Sequence, residues 1–155
     1  MKLNLFCGFD HRDGYINIDA VVAFKPDIVL DLRRDLPYAV ESIEEIRIQD
    51  GFEHLNYIDA IRCLRHWALL LIKGGILYMQ LPDWELIDKS SLAQVFGALS
   101  WKGVQLGDFG VHKWGYTKDS IRTILAELGF GIKNIWNKAG NMIVIATKTS
   151  AGGLL

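Results

Sequence analysis

Short apolar blocks, separated by glycine, proline or acidic residues, dominate the first half of the chain. Their length and their content of β-branched residues predict strands. The strands predicted from this pattern are residues 2–6, 15–19, 26–32, 43–49 and 75–83. Near the end of the chain, residues 131–136 and 142–148 flank the turn sequence NKAGN, which predicts a hairpin.

Three segments carry a helical rather than an alternating pattern. Residues 56–72 repeat apolar side chains at helical spacing, and the sequence Lys73-Gly74-Gly75 stops this helix. The apolar stripe predicted to face the core consists of Ile58, Ile61, Leu64 and Leu71. Residues 85–99 predict a second helix, and residues 117–128 a third, capped by Thr117 and closed by Gly129. Between these two helices, residues 100–115 are rich in glycine and predict a long loop.

Strands that alternate with helices predict an α/β fold with a mostly parallel central sheet, covered on both faces and closed by a C-terminal antiparallel hairpin. The predicted organisation is a single domain over residues 1–148, followed by a flexible tail at 149–155. Only residues 7–14 separate the first two strands. Because a parallel crossover normally needs a dozen or more residues, we expect no helix there but an extended loop beside the ligand crevice.

Composition narrows the classes of partner. The 155 residues suffice for one hydrophobic core. The 17 basic and 18 acidic residues give a net charge of -1, without the basic excess typical of nucleic-acid-binding proteins. The longest apolar run, WALLLI, is too short to span a membrane, and the start of the chain is too short an apolar run for a signal peptide. Two cysteines give neither a disulfide framework nor a metal-ligand set. We therefore expect a cytoplasmic protein with a small-molecule substrate.

Several motifs occur in an order that resembles one family. The sequences LFCG, GYINIDA, FEHL and LIKGGILYMQLPD, followed by the late segment HKWGYTKDSIRTILAELGF, resemble class I S-adenosylmethionine (SAM)-dependent methyltransferases. The likeness is to small members with a shortened first crossover. It implies a Rossmann-like fold, SAM as the cofactor, and methyl transfer to a small molecule or glycan.

The resemblance also implies a set of cofactor-binding residues at the carboxyl ends of the strands. Gly8 ends the first strand, where the missing side chain lets backbone amides approach a ligand. Asp19 ends the second strand and either accepts the ribose hydroxyls or caps its own loop. Asp31 ends the third strand and lies either near the adenine edge or in a turn.

The sequence departs from the family at the crevice. Phe6 replaces the family's first glycine, so its ring either fills the volume of the methionine part of SAM or points into the core. Gln49 and Asp50, at the end of the fourth strand, add bulk and negative charge. Overpacking of this kind costs about 1–3 kcal/mol, which predicts a tenfold to hundredfold loss of SAM affinity. Two hypotheses fit the departures: a natural paralogue that has lost SAM binding, or a methyltransferase scaffold engineered to carry a new pocket.

A new pocket in turn suggests catalytic candidates outside methyl transfer, such as ester hydrolysis. Cys7 is a candidate nucleophile at the pocket mouth, Asp50 a candidate general base, and His112 a candidate base on the glycine-rich loop. Each has a structural alternative: a packed thiol, a solvated loop acid and a loop anchor. The pair Glu53-His54 is interpreted as structural, holding the loop after the fourth strand.

One helix face is a candidate interface. Leu69 lies two positions from Leu71 and so projects to another side of the predicted helix, and Ile72 shares that side. Two apolar side chains beside each other on the surface predict a homodimer contact or the binding of a protein partner. The alternative is that the loop at 100–115 covers them within the monomer.

Overall fold

The computed structural model describes residues 1–91 and 106–149. In this part of the chain, seven strands form one sheet in the order β3-β2-β1-β4-β5-β7-β6. The strands are β1 (Lys2–Leu5), β2 (Ile16–Asp19), β3 (Ile28–Val29), β4 (Ile43–Gln49), β5 (Leu71–Pro82), β6 (Phe130–Lys138) and β7 (Asn141–Lys148). The helices are α1 (Tyr57–Leu70) and α2 (Lys118–Glu127), and short 3-10 helices lie at Val22–Phe24, Phe52–His54 and Gly107–Phe109.

The direction of the strands confirms the predicted fold class. Strands β1 to β5 pair in parallel, while β7 runs antiparallel to both β5 and β6. The hairpin turns at Ala139 and Gly140, whose φ angles of 51° and 85° are both positive, as a tight primed turn requires. Glycine adopts this conformation without strain, and alanine does so at a cost.

The connection between β1 and β2 contains no helix, as its length predicts. Two buried asparagines on the neighbouring strands fix it instead: Asn4 Nδ2 donates to the Asp10 carbonyl at 2.7 Å, and the Arg12 amide donates to Asn17 Oδ1 at 2.9 Å. Asn4 Nδ2 also donates to Asn17 Oδ1 at 3.0 Å. Buried amide side chains therefore supply hydrogen-bond partners for the backbone groups of this loop.

Helix α1 is shorter than predicted, and one position of its predicted apolar stripe faces solvent. It begins after Asn56, whose side chain accepts the Asp59 amide at 2.9 Å, and it ends at Leu70 because Leu71 is already extended. The predicted core position Ile58 is 79% exposed. The buried side chains of the helix are Ala60, Cys63, Leu64, Trp67, Ala68 and Leu70. The prediction of Ile58 as a core residue is therefore wrong, because Ile58 lies two positions from the buried Ala60 and projects to another side of the helix. Leu64 and Leu71 are buried as predicted, and Ile61 packs partly against the core.

Other boundaries also differ from the pattern. Strand β5 begins at Leu71, so the Lys73-Gly74-Gly75 sequence lies within a strand instead of ending the helix. Strand β3 covers only two residues of the predicted 26–32. Residues 85–91 form turns rather than the start of a helix, and the remainder of that prediction, 92–99, lies outside the described residues.

The segment after the glycine-rich region matches its prediction closely. Thr117 caps α2 by accepting the Ser120 amide at 3.1 Å, while the Ser120 hydroxyl accepts the Thr117 amide at 2.9 Å. Thr149 is fixed by its amide and hydroxyl, which both donate to the Gly129 carbonyl at 2.8 Å. Thr149 therefore belongs to the folded body rather than to the predicted tail, whose other residues, 150–155, lie outside the described part.

In the described part of the chain, none of the helices has both the length and the apolar character needed to cross a membrane.

The buried face of α1 leads to a prediction about stability. We expect Leu64→Ala to lower the free energy of unfolding by about 2–5 kcal/mol, because Leu64 is fully buried and the substitution leaves a cavity. The matched variant Ile58→Ala removes a mostly exposed side chain and is expected to change it by less than about 0.5 kcal/mol. Urea denaturation followed by circular dichroism measures both values. Equal losses in the two variants would contradict the assignment of the buried face.

Candidate functional site

A cavity of about 580 Å³ lies at the carboxyl ends of the parallel strands. Its walls come from the crossover loop after β1, the segments that follow β2 and β3, the end of β4, and the segment at 106–113. Ligand pockets typically enclose about 300–1,000 Å³, and in doubly wound sheets they lie at this edge. The fold thus places a ligand-sized cavity where the order of the strands changes direction.

Gly8 and Asp19 meet at the centre of this edge. The Gly8 amide donates to Asp19 Oδ2 at 3.0 Å, and the Val21 amide donates to Asp19 Oδ1 at 2.9 Å. Asp19 therefore closes the crossover loop onto the end of β2. A carboxylate oxygen can accept more than one hydrogen bond, so Asp19 retains acceptor capacity toward the cavity that it lines.

Asp31 is held in a bidentate ion pair at the rim. Arg33 Nε donates to Asp31 Oδ1 and Oδ2 at 3.0 Å, and Arg33 Nη2 donates to Asp31 Oδ2 at 2.7 Å. These hydrogen bonds to the guanidinium lower the pKa of Asp31 below its usual value. Arg33 also lies 3.6 Å from Asp108, which in turn accepts from Lys113 Nζ at 2.8 Å. This chain of charges links the segment after β3 to the segment at 106–113 across the cavity.

Phe6 lines the cavity but packs sideways. Its ring contacts Trp67 of α1 edge-on, with ring centroids 6.2 Å apart. Its backbone has a φ of 56°, in the left-handed region that favours glycine. Gly51 lies directly against it, since a Cβ on Gly51 would come within 2.3 Å of the Phe6 Cβ. Phe6 thus combines parts of the two alternatives that the sequence leaves open: its ring lines the cavity, and it also packs against the edge of the core.

Asp50 and Gln49 lie where β4 ends, and both line the cavity. Asp50 Oδ2 accepts from Gln80 Nε2 at 3.0 Å, and Asp50 Oδ1 accepts from Asn141 Nδ2 at 2.9 Å. Burial raises the pKa of Asp50 above its usual value. Gln49 accepts from Arg47 Nη2 at 2.7 Å. The carboxylate of Asp50 is therefore fixed by two side-chain amide donors, one on β5 and one on β7.

The charges of the described lining are unbalanced. Four carboxylates, namely Asp10, Asp19, Asp31 and Asp50, stand against two cationic side chains, Arg33 and Lys113. A negative excess in a cleft raises the local concentration of cationic ligands. The cavity consequently favours a ligand that carries positive charge.

Cys7 does not have the character of a nucleophile. The thiol is 3% exposed, and burial together with the charges of Asp19 and Asp27 raises the pKa of Cys7 to about 12. Its Sγ lies 3.7 Å from the Gly8 carbonyl. Because the thiolate is the nucleophilic form, a thiol in this state is unreactive at neutral pH.

A second group of side chains adjoins the cavity, and His54 is the member of this group that also lines it. Glu53 is 3% exposed, and burial raises its pKa to about 8. His112 Nε2 is 4.0 Å from Glu53 Oε1, and the rings of His54 and His112 have centroids 5.1 Å apart. Burial lowers the pKa of His112 to about 4 and lowers that of His54 as well. Both imidazoles are therefore neutral at neutral pH.

The structure brings most of the sequence-predicted site residues together. Those that line the cavity are Phe6, Cys7, Gly8, Asp19, Asp31, Gln49 and Asp50. His112 does not line the cavity and belongs to the group around Glu53. Sequence reasoning missed Arg33 and Lys113 in the lining, and no local motif marks either of them.

The structure removes one of the two arguments for a candidate interface at Leu69 and Ile72, namely their shared helix face. Both side chains are half-buried, and Ile72 belongs to β5, so helical spacing does not place it beside Leu69. The apolar side chains near α1 that are exposed are Tyr57, Ile58 and Trp114. A homodimer or partner contact through Leu69 and Ile72 stays a prediction.

No protein-family model and no curated protein matches the sequence. Solved structures do match the fold. The chain superposes on the CurJ carbon methyltransferase with a TM-score of 0.69 and 16% identity, over 96% of this chain and 48% of that one. A SAM-dependent methyltransferase from Mesorhizobium loti gives 0.68 and 16%, over 94% and 89% of the two chains. The [4+2]-cyclase SpnF gives 0.65 and 14%, over 96% and 74%.

At these identities the likeness concerns the fold, and the chain spans about half of the CurJ methyltransferase chain. Its strand order and its final antiparallel strand agree with that likeness. The chain therefore has the Rossmann-like fold of class I SAM-dependent methyltransferases.

Proposed function

We propose that the protein binds SAM in the cavity at the carboxyl ends of the strands and transfers its methyl group to a small-molecule or glycan acceptor. The observation that carries this proposal is the meeting of Gly8 and Asp19 at the floor of a cavity of about 580 Å³. The fold of the solved methyltransferases supports it.

The residues present fit the cofactor in charge and in shape. SAM carries a sulfonium and an ammonium against one carboxylate, and the described lining has the opposite excess. Gly8, with a φ of 50° and no atom within 4 Å of the position of a Cβ, leaves room for a ligand to approach the loop. In this proposal Asp19 accepts the ribose hydroxyls, and the adenine ring packs on the apolar segment after β2, which includes Val21 and Phe24.

The cavity volume argues against the expectation that Phe6 excludes the cofactor. The ring lies edge-on to Trp67, and a ligand-sized space remains beside it. We therefore propose that the site is functional rather than impaired.

Bound SAM supplies an electrophilic methyl group on sulfur, so transfer depends mainly on position. The chain's own contribution is to hold the methyl group of the cofactor beside the acceptor atom and to exclude water from the cavity. In the proposed reaction Asp50, which is fixed by Gln80 and Asn141, accepts a proton from the acceptor hydroxyl.

The hydrolase hypothesis has less support. It needs a reactive nucleophile beside a base, and the buried Cys7 thiol has a pKa raised to about 12. Among the described residues, no imidazole is hydrogen-bonded to that thiol. We therefore place methyl transfer first.

The role of Asp19 is tested by Asp19→Asn. We expect this substitution to weaken SAM binding by about 10–100-fold, since it removes a charged acceptor worth about 1.5–3 kcal/mol. Asp13→Asn is the matched control, because Asp13 is exposed, outside the described lining, and loses the same charge. Isothermal titration calorimetry with SAM measures the affinities, and thermal melts confirm that both variants are folded. Equal SAM affinity in Asp19→Asn and the unaltered protein would refute the assignment of Asp19, and no binding by the unaltered protein would refute the function.

The packing of Phe6 on Gly51 gives a second test. We expect Gly51→Ala alone to cost about 1–3 kcal/mol of stability, because its Cβ would overlap the Phe6 Cβ. Adding Phe6→Gly removes the overlap, so the double variant should recover most of the loss relative to Phe6→Gly alone, as measured by urea denaturation. Additive losses would contradict the described contact.

The same Phe6→Gly variant distinguishes a cavity wall from a plug. We expect its SAM affinity to lie within about tenfold of the unaltered protein, a difference of about 1.4 kcal/mol, because the ring packs on Trp67. A larger gain in affinity would mean that the phenyl ring does obstruct the cofactor.

A further inference from the structure

Three potential metal ligands are brought together by two segments that are distant in sequence. Glu53 and His54 lie in the 3-10 helix Phe52–His54, and His112 lies in the segment that leads to α2. The amides of Lys113 and Trp114 donate to the Glu53 carbonyl at 2.8 and 3.3 Å, which fixes that segment against the helix. One donor atom from each of Glu53, His54 and His112 lies within 4.8 Å of the others.

The carboxylate of Glu53 is an independent sign of a ligand. Glu53 is 3% exposed, and among the described residues its Oε2 has no hydrogen-bond partner. Its Oε1 is 4.0 Å from His112 Nε2, beyond hydrogen-bond distance. A buried carboxyl group without a hydrogen-bond partner is costly, and a coordinated metal ion would stabilise its carboxylate form.

The hydrogen bond of His54 prepares its ring for coordination. His54 Nδ1 lies 3.1 Å from the Val111 carbonyl, which only accepts hydrogen bonds, so Nδ1 carries the proton. In this tautomer Nε2 carries the lone pair that a metal ion would need. Histidine ligands in metal sites are commonly oriented in this way by a carbonyl or carboxylate on the other ring nitrogen.

We propose that Glu53, His54 and His112 bind a divalent transition-metal cation. Two imidazoles and one carboxylate are the protein ligands of open zinc sites and of other first-row metal centres, and they leave at least one position for a further ligand. Metal–ligand distances of about 2.0–2.2 Å require the three donors to close together by on the order of 1 Å, which side-chain rotation supplies. Mg²⁺ and Ca²⁺ are disfavoured, because they take oxygen ligands.

The site adjoins the cavity through His54, which lines it. The open position of the cation is therefore suited to an oxygen of the methyl acceptor, whose pKa a bound metal would lower. This assignment of an oxygen-bearing acceptor rests on the proposed function, whereas the metal site itself does not.

The test uses the full chain without a polyhistidine tag, freed of metal by dialysis against a chelator. Isothermal titration with Zn²⁺ measures affinity and stoichiometry, and the visible absorption of bound Co²⁺ reports the ligand geometry. We expect one site, and we expect Glu53→Gln and His112→Ala each to weaken Zn²⁺ binding by at least about a hundredfold, since loss of a group that only hydrogen-bonds a metal ligand already costs about 10–100-fold. The matched control is His11→Ala, which removes an imidazole that contacts the Phe24 carbonyl outside this group.

Two outcomes would overturn the inference: no stoichiometric Zn²⁺ binding by the unaltered protein, or equal loss in His11→Ala and His112→Ala. Glu53→Gln keeps the size of the side chain, and His112→Ala serves if that variant does not fold. SAM titration of the same samples separates the two proposals, because Glu53 and His112 do not line the cavity. If the variants lose Zn²⁺ binding but keep SAM binding, both proposals are supported. If the unaltered protein binds SAM but not Zn²⁺, only the metal site is refuted. If it binds Zn²⁺ but not SAM, only the proposed function is refuted.

Discussion

The short connection between β1 and β2 is the constraint on which the rest of the site depends. No crossover helix fits between these parallel strands, so the loop must be fixed by side chains that the strands themselves supply. Asn4, Asn17 and Asp19 do this, with hydrogen bonds of 2.7–3.0 Å to loop atoms. A helix at this position would cover the sheet, whereas the fixed loop forms a wall of the cavity.

The opposite wall depends on the segment between residues 106 and 116. Charges at its start link it to the segment after β3, and the Glu53 carbonyl accepts two of its amides further along. At its end, Tyr116 is buried against Phe52, with ring centroids 5.0 Å apart. This segment thus lines the cavity and also brings His112 close to Glu53. The cofactor site and the metal site that we propose therefore both depend on the position of the same segment.

Local patterns predicted the elements whose ends are marked by sequence. Residues 43–49 match β4 because polar residues precede the strand and Asp50-Gly51 follows it, and Thr117 marks the start of α2 by its capping hydrogen bond. The small members of the buried face of α1, namely Ala60, Cys63 and Ala68, were missed because small residues carry little weight in an apolar pattern. A large residue such as Ile58 carries much weight, yet here it faces solvent.

Strand-end positions predicted most of the cavity lining, because the carboxyl ends of parallel strands meet at one edge. Tertiary contacts fixed the remainder. The pairing of His112 with Glu53 depends on backbone hydrogen bonds from Lys113 and Trp114, and the sideways direction of Phe6 depends on a φ of 56° and on the missing side chain of Gly51. Neither feature leaves a local signal in the sequence.

The central claim, that the cavity is a SAM site, is tested most directly by a crystal structure of the protein grown with S-adenosylhomocysteine, the demethylated cofactor. The account predicts that the nucleoside occupies the cavity, with its ribose hydroxyls within hydrogen-bond distance of Asp19 and its adenine beside the segment after β2. Density for the ligand elsewhere on the molecule, or an unoccupied cavity at saturating ligand, would contradict it.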